Sequence, residues 1–231
     1  MKLHHILSLF LALAASPLQQ AVAAGESPEV SGTSSTAPPP VPAGAYTLEK
    51  MHASLTFRVD HLGFSNYTAR FKRFDAELQF DPADIPASSV TATIDPRSLD
   101  LDNPPPGFTD TLLGEQWLDA AKFPEMKFRS TQVEPTGANT FRITGEFTLH
   151  GVTKPVALDA TFNGGYAGHP MDPHARIGFS ARGSLKRSEF GIVFGIPAPG
   201  TTMGVSDNVE VIIEAEFSGP PLVSPQAEPV K

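Results

Sequence analysis

The sequence of 231 residues contains no cysteine, one tryptophan and three tyrosines, and its 17 Lys and Arg are outnumbered by 25 Asp and Glu. Without cysteine there is no disulfide framework, no thiolate metal site and no cysteine nucleophile. The formal net charge of −8 argues against nucleic-acid binding, which requires a basic surface. The G-x-S-x-G, H-E-x-x-H and P-loop motifs of common enzyme classes are also missing. The usual motif-based routes to catalysis are therefore absent, and we expect no assignable catalytic residue, no metal site, no cofactor and no nucleic-acid partner.

The first 24 residues have the three parts of a secretory signal peptide. Lys2 supplies the charged start, residues 6–15 form the apolar centre, and small residues at 21–24 supply a cleavage site. A transmembrane helix needs about 20 apolar residues, so this shorter run favours a cleaved signal over an anchor. We expect residues 1–24 to be removed and the mature protein to be periplasmic or secreted.

Two proline-rich segments flank the rest of the chain. Residues 25–45 contain five prolines and no aromatic residue, and residues 218–231 contain four prolines. Such segments bury too little apolar surface to offset the entropy lost on ordering. The sequence predicts a disordered linker at 25–45, a proline-rich tail at 218–231 and a single domain at 46–217.

Apolar and polar side chains alternate through most of residues 46–217. Leu55, Phe57 and Val59 share one parity, and the odd-numbered residues of 209–217 form another such series. A period of two is typical of antiparallel strands with one face buried and the other in water. Seven or eight segments of this kind, separated by turn residues such as Gly63, predict an all-β sandwich or barrel.

Two places depart from this alternation. The apolar phase shifts by one residue between Phe71 and Phe74, which predicts a β-bulge at residues 72–73. The segment 106–121 has leucines at helical spacing, which predicts one short helix with Trp117 packed beside it.

Sixteen phenylalanines contrast with the few Tyr and Trp residues. Phenylalanine adds a large apolar area without a polar group that needs a partner. Most of these rings fall on the predicted inward parity. They fill the core in a sandwich or a solid barrel, whereas a closed barrel of about eight strands has room for one small ligand. The parity of the residues does not distinguish a filled core from a barrel with room for a ligand.

The histidines are the candidate polar groups. His61 continues the parity of Phe57 and Val59, so it is either a donor to a ligand inside the domain or a strand-end residue bonded to the backbone. His150 precedes a turn glycine and is expected to be solvated. The loop at 169–174 holds two histidines and an aspartate, but their spacing matches no metal-binding template.

Several short segments are more distinctive than strand and turn chemistry requires. They are 52–57 (HASLTF), 61–63 (HLG), 70–71 (RF), 80–82 (FDP), 122–124 (KFP), 145–149 (GEFTL), 150–156 (HGVTKPV), 186–191 (KRSEFG) and 205–209 (VSDNV). In this order they resemble the YceI-like family of exported proteins over residues 46–217. The resemblance implies an eight-stranded antiparallel lipocalin-like barrel with one short helix and an elongated apolar cavity. It also implies a non-enzymatic carrier or storage protein for isoprenoid-type lipids, such as polyisoprenoids or polyprenyl quinones including ubiquinone.

Within that fold the inward apolar residues become candidates for a lipid-binding wall. These candidates are Phe57, Val59, Phe71, Phe128, Ile143, Phe147, Phe162 and Phe179, with Phe190 and Ile192 nearer a mouth and His61 as the polar member. Arg187 and Asp207 are expected to be structural partners rather than head-group ligands. The sequence departs from the family pattern at Ala69, where the family has glycine, at the prolines of 103–106 and at 109–110, so the ligand can differ from those of relatives.

Two other functions remain open at this stage. The first is a β-barrel enzyme that uses His61 or the 169–174 loop for hydrolysis or metal-assisted chemistry. The second is a structural or interaction domain with a filled core. The identity of the lipid, transient contact with a membrane and assembly into a homodimer are also left open by the sequence.

Overall fold

The chain folds almost entirely into antiparallel β-strands, as its alternating pattern predicts. The structure is a computed structural model that describes residues 41–222. The strands are β1 Gly44–His61, β2 Ser65–Phe71, β3 Phe74–Phe80, β4 Ser89–Ile94, β5 Leu99–Leu101, β6 Met126–Pro135, β7 Thr140–Leu149, β8 Val152–Tyr166, β9 His174–Lys186 and β10 Val205–Pro221. The helical elements are α1 Phe108–Leu113 and the 3-10 turns Ile85–Ala87, Pro96–Ser98 and Arg187–Phe190. None of the helices in this described part of the chain is long and apolar enough to cross a membrane.

The sheet closes on itself to form a barrel. Its strand order is β10-β9-β8-β7-β6-β4-β3-β1, and β1 pairs with β10, for example Phe57 opposite Val211. β2 and β3 both pair with β1 and lie end to end beside it. In the same way, β5 pairs with β2 and β4 pairs with β3, so that β5 and β4 lie end to end in the next position of the sheet. Counting each of these pairs as one bent strand gives eight strands, which confirms the predicted eight-stranded antiparallel barrel.

Bulges bend two of these strands. The pairing of β2 ends at Phe71 and that of β3 begins at Phe74, so the predicted bulge at residues 72–73 is present. A larger bulge lies in β1, where residues 49–52 stand opposite the single residue Glu216 of β10. The alternation of the sequence does not predict this second bulge.

The two ends of the barrel differ in their connections. We call the mouth end the one formed by the turns at 62–64 and 150–151 and the segments 102–125 and 187–204. We call the far end the one formed by the segments 81–88, 136–139 and 167–173. The only α-helix of the described residues, α1, lies at the mouth end within the predicted segment 106–121, and Gly107 precedes it with a φ of 77°.

Aromatic rings close the far end. Phe80 stacks on Phe162 with ring centres 5.9 Å apart, and Phe162 lies 5.4 Å from Phe179. Tyr46 packs against Phe80, and its hydroxyl donates to the carbonyl oxygen of Pro42 at 2.6 Å. The interior of this end is therefore a packed core.

The barrel extends past both predicted domain limits. Val41 is buried in the far-end core, and β1 begins at Gly44, so the end of the predicted linker 25–45 is part of the barrel. β10 continues to Pro221, so the first residues of the predicted tail 218–231 are in a strand. At both ends, strand pairing, together with the burial of Val41, offsets the entropy lost on ordering in spite of the nearby prolines. The predicted signal peptide, 1–24, lies outside the described residues.

Candidate functional site

An apolar cavity of about 680 Å³ occupies the interior of the barrel. This volume lies within the range of about 300–1,000 Å³ typical of small-molecule pockets. Inward-facing residues of the strands line it, and nearly all of the lining atoms are apolar. The alternation that buries one face of each strand also makes that face the cavity wall.

The cavity is long relative to its volume. On β10 the wall residues extend from Val205 to Phe217, which is about 40 Å of strand at roughly 3.3 Å per residue. Barrel strands tilt by roughly 35–45°, so this length corresponds to about 30 Å along the barrel axis. A narrow channel of this length matches an extended chain better than a compact ring system.

The structure places nine of the eleven predicted residues on the cavity wall. These nine are Phe57, Val59, His61, Phe71, Phe128, Ile143, Phe147, Phe179 and Ile192. Strand parity identified the strand residues among them because the barrel has a single interior, whereas Ile192 lies in the segment between β9 and β10. His61 ends β1 at the mouth, where it is exposed to solvent and lines the opening.

Phe162 and Phe190 lie outside the wall, and their predicted positions are corrected. Phe162 is inward-facing but lies in the far-end core between Phe80 and Phe179. Phe190 is fully buried in a 3-10 turn, where its ring packs edge-on against Phe147. One ring is beyond the end of the cavity, and the other supports the wall from behind.

The selection of phenylalanines missed the smaller wall residues. These include Leu48, Leu55, Ala76, Leu78, Val90, Ala92, Val156, Leu158, Ala181, Val209, Val211 and Ile213. The same parity could have found them. The alanines matter because they leave volume that larger side chains would fill.

One glycine shapes the wall. A Cβ on Gly145 would lie 2.4 Å from the Phe128 ring and 2.7 Å from the carbonyl oxygen of Arg129. Gly145 therefore leaves space beside β7 for the outer edge of the Phe128 ring. Ala69, the departure from the family pattern, is buried opposite Phe57 but does not reach the cavity surface.

Arg187 organises the mouth end. The residue is 4% exposed, and its guanidinium donates to the carbonyl oxygens of Ser206, Ile192, Phe194 and Val205 at 2.8–3.1 Å. Burial lowers the pKa of this guanidinium, and the nearby Asp207 carboxylate opposes that shift. An arginine keeps its charge under such a shift because its ordinary pKa lies far above neutral pH.

Asp207 accepts hydrogen bonds from the backbone N–H and the hydroxyl of Ser188, each at 2.8 Å. These two residues fix the start of β10 to the 3-10 turn at 187–190. The contacts of Arg187 and Asp207 are thus with the protein itself, in agreement with the structural role predicted for both.

The other histidines within residues 41–222 do not form a site. His150 is half-buried rather than solvated, because its Nδ1 pairs with the carbonyl oxygen of Phe190 at 3.1 Å and its ring packs on Phe123. His169 accepts a hydrogen bond from the backbone N–H of Met171. Between residues 41 and 222 there is no group of three or more His, Cys, Asp or Glu side chains that could hold a metal ion.

A recess opens in the side of the barrel. The two bulges separate β1 from β2 and β3 there, and the recess shares apolar residues such as Leu55 and Phe71 with the cavity. Ion pairs rim it, including Arg73 with Asp95. Burial raises the pKa of the Asp95 carboxyl, but hydrogen bonds from the Arg73 side chain and the Arg97 backbone outweigh it and lower the pKa.

Together, the closed eight-stranded barrel and its long apolar cavity define a lipocalin-like barrel protein. The chain belongs to the YceI-like family, because the family model described as "YceI-like domain" matches residues 46–217. A UPF0312 protein of Vibrio cholerae serotype O1 is 36% identical over 165 residues, which cover 71% of this chain and 81% of that protein.

Solved structures share the fold. The crystal structure of Burkholderia cenocepacia BcnA has a TM-score of 0.63 and 25% identity, covering 73% of this chain and 98% of that one. A polyisoprenoid binding domain from Saccharophagus degradans, implicated in plant cell wall breakdown, has a TM-score of 0.55 and covers 76% of this chain and 98% of that one. Its identity of 12% makes it a likeness of fold alone.

Proposed function

We propose that this protein binds one isoprenoid-type lipid chain, such as a polyisoprenoid or the tail of a polyprenyl quinone, inside the barrel. The observation that carries the proposal is the shape of the cavity, which is narrow, about 30 Å long and almost free of polar groups. The polyisoprenoid-binding neighbour supports the same class of ligand. In this proposal the nine wall residues contact the chain.

The energetics favour a long chain without a charged anchor. Each buried methylene contributes about 0.8 kcal/mol, so a dozen contribute roughly 10 kcal/mol before costs. Lost translational and rotational freedom costs at least about 4 kcal/mol. The surplus grows with chain length, and removing two methylenes weakens binding by roughly tenfold while the chain still fills the cavity.

The head group of the ligand lies at the mouth in this proposal. His61, Tyr67 and Trp117 are the lining side chains there, besides Arg187, that carry a polar group, and each offers a hydrogen-bonding group to a quinone carbonyl or an alcohol. The Arg187 guanidinium already donates to four carbonyl oxygens, which leaves it little capacity for a ligand. We therefore propose tolerance of varied neutral head groups and discrimination by chain length.

A carrier or storage role outside the cytoplasm completes the proposal. It combines the predicted signal peptide with the family to which the chain belongs. A water-insoluble lipid needs an enclosed apolar cavity to cross an aqueous compartment. The cavity also argues against the filled-core structural domain, and we propose a binding protein rather than an enzyme.

The direct test is extraction of the purified protein with organic solvent, followed by mass identification of the lipid. We expect one long-chain isoprenoid per chain from protein purified from its native host. Native mass spectra that show only the ligand-free mass, together with no uptake of an added polyprenyl quinone, would contradict the proposal.

Two wall variants locate the site. Phe147→Arg places a cation in the apolar wall, where burial of a charge is costly, and should abolish quinone uptake. Thr161→Arg adds the same charge on the exposed face of β8 and should leave uptake unchanged. Ala92→Phe fills part of the cavity without adding a charge, so it tests the same wall if Phe147→Arg fails to fold.

A further inference from the structure

Five large apolar side chains are exposed at the mouth end. Phe64 is 82% exposed, Met203 73% and Val193 63%, and Phe194 and Phe108 are also exposed. We call these five residues the apolar rim. They come from three separate segments, namely the turn after β1, the start of α1 and the segment between residues 187 and 204, so the rim is produced by the fold and not by one local run.

The apolar rim surrounds the opening of the cavity. His61, Pro105, Ile192 and Val205 line the cavity at this end, and they lie in or beside the segments that carry the rim. Phe108 belongs to both sets. The exposed apolar surface is therefore continuous with the apolar interior of the barrel.

The backbone holds these side chains outward. The Leu62 N–H donates to the carbonyl oxygen of Gly204 at 2.9 Å, which ties the turn of Phe64 to the segment of Met203. Arg187 donates to the carbonyl oxygen of Phe194 at 2.8 Å. A fixed backbone with exposed apolar side chains is typical of an interaction surface.

The charge distribution identifies the partner. Residues 61–69 and 191–205, which carry four of the five rim residues, contain no Asp, Glu, Lys or Arg, although the chain has a net charge of −8 and Asp110 is exposed near Phe108. An uncharged apolar rim offers nothing to a charged protein surface but fits the interface of a bilayer with zwitterionic head groups. Anionic lipids repel the acidic remainder of the protein.

We propose that the apolar rim docks on a zwitterionic lipid bilayer, so that the cavity opens towards the hydrocarbon in which a long-chain lipid dissolves. The docking surface is Phe64, Phe108, Val193, Phe194 and Met203, and docking is reversible because only these side chains enter the interface. This inference rests on the proposed lipid-binding function for its purpose, but the docking itself is measurable separately.

The absence of cysteine makes a single-cysteine test direct. Met203→Cys and Met171→Cys are labelled separately with the fluorophore NBD in the full chain. Met171 is 90% exposed at the far end, so it is the matched control. With phosphatidylcholine vesicles we expect NBD emission at 203 to rise several-fold and shift to the blue, while emission at 171 stays unchanged. An equal response at both positions, or none at 203, would overturn the proposal.

Lipid charge and protein concentration separate the remaining outcomes. Replacing a third of the phosphatidylcholine by phosphatidylglycerol should weaken the response at low salt, and added salt should restore it. A stronger response to the anionic vesicles would overturn the zwitterionic assignment. A response at 203 that rises with protein concentration without vesicles, with a doubled mass in light scattering, would show that the rim binds a second copy.

Transfer measurements distinguish this inference from the proposed function. Met203→Ser should slow quinone transfer from vesicles at least tenfold, yet leave uptake of quinone added from solution unchanged, whereas Met171→Ser should change neither. If the wild-type protein takes up no quinone from solution, the lipid-binding function fails. If uptake is normal and Met203→Ser does not slow the transfer, docking by the rim fails.

Discussion

The guanidinium carbon of Arg187 lies 5.1 Å from the centre of the Trp117 ring. The pair joins two segments of the mouth end, because Arg187 begins the 3-10 turn after β9 and Trp117 follows α1. The same guanidinium donates to four backbone carbonyl oxygens. One buried side chain thus holds the segment that carries much of the apolar rim against the rest of the mouth.

The first prediction follows from those hydrogen bonds. Arg187→Lys keeps the charge but lacks the planar group that reaches several carbonyl oxygens. Each buried oxygen left without a donor costs about 1–3 kcal/mol, so we expect the free energy of unfolding in urea to fall by about 3 kcal/mol or more. Arg182→Lys, at an exposed ion pair, should change it by less than about 0.5 kcal/mol. Equal effects would contradict the role of Arg187.

The second prediction uses Trp117, the only tryptophan of the sequence, which lines the cavity near its mouth. A bound polyprenyl quinone brings an electron acceptor close to the indole, so titration should quench the intrinsic fluorescence in proportion to occupancy. A saturated lipid of similar length should shift the emission with little quenching. Trp117→Phe should remove the signal and keep the uptake. Quinone uptake without quenching would place the bound ring away from the mouth.

The third prediction concerns Gly145 in β7. Gly145→Ala requires the Phe128 ring to move into the cavity and strains the contact with the Arg129 carbonyl oxygen. We expect lower quinone affinity and a loss of about 1–3 kcal/mol in the free energy of unfolding, as in other overpacked cores. Gly178→Ala in β9 is the matched control, because its nearest contact would be Asn163 at 3.9 Å. Similar losses in both variants would contradict this account.

The sequence predicted the fold well because a barrel with one interior obeys one rule. Strand residues of one parity, such as Phe57 and Val59, all face the same barrel interior. The shift of the apolar alternation at residues 72–73 also predicted a bulge correctly, because a bulge exchanges the two faces of a strand. The β1 bulge could not be predicted from the sequence, because residues 49–52 include polar residues that suit an outward loop as well as a strand.

The site was less predictable along the barrel axis than across it. Parity tells inside from outside but not how far along the axis the cavity extends, so Phe162 was expected on the wall although it lies in the far-end core. Phe190 was misplaced because the chain leaves β9 for a 3-10 turn just before it. Strand parity does not predict the apolar rim because its residues lie outside the strands, where exposure depends on tertiary contacts.

The last prediction concerns acid stability beside the side recess, where Asp100 accepts a hydrogen bond from Arg70 and pairs with Lys72, both of which line the recess. These contacts, first with Lys72 and then with Arg70, lower the pKa of the Asp100 carboxyl below its ordinary value of 3.8. A carboxyl whose pKa is lower in the folded protein stabilises the fold above its unfolded pKa, and this contribution is lost as the pH falls through the folded pKa. As the pH is lowered below about 4, the melting temperature should therefore fall, and it should fall less steeply in Asp100→Asn.

Asp102→Asn, at an exposed position nearby, should keep the wild-type slope of melting temperature against pH. If Asp100→Asn also keeps it, the ion pairs of the recess do not set acid stability.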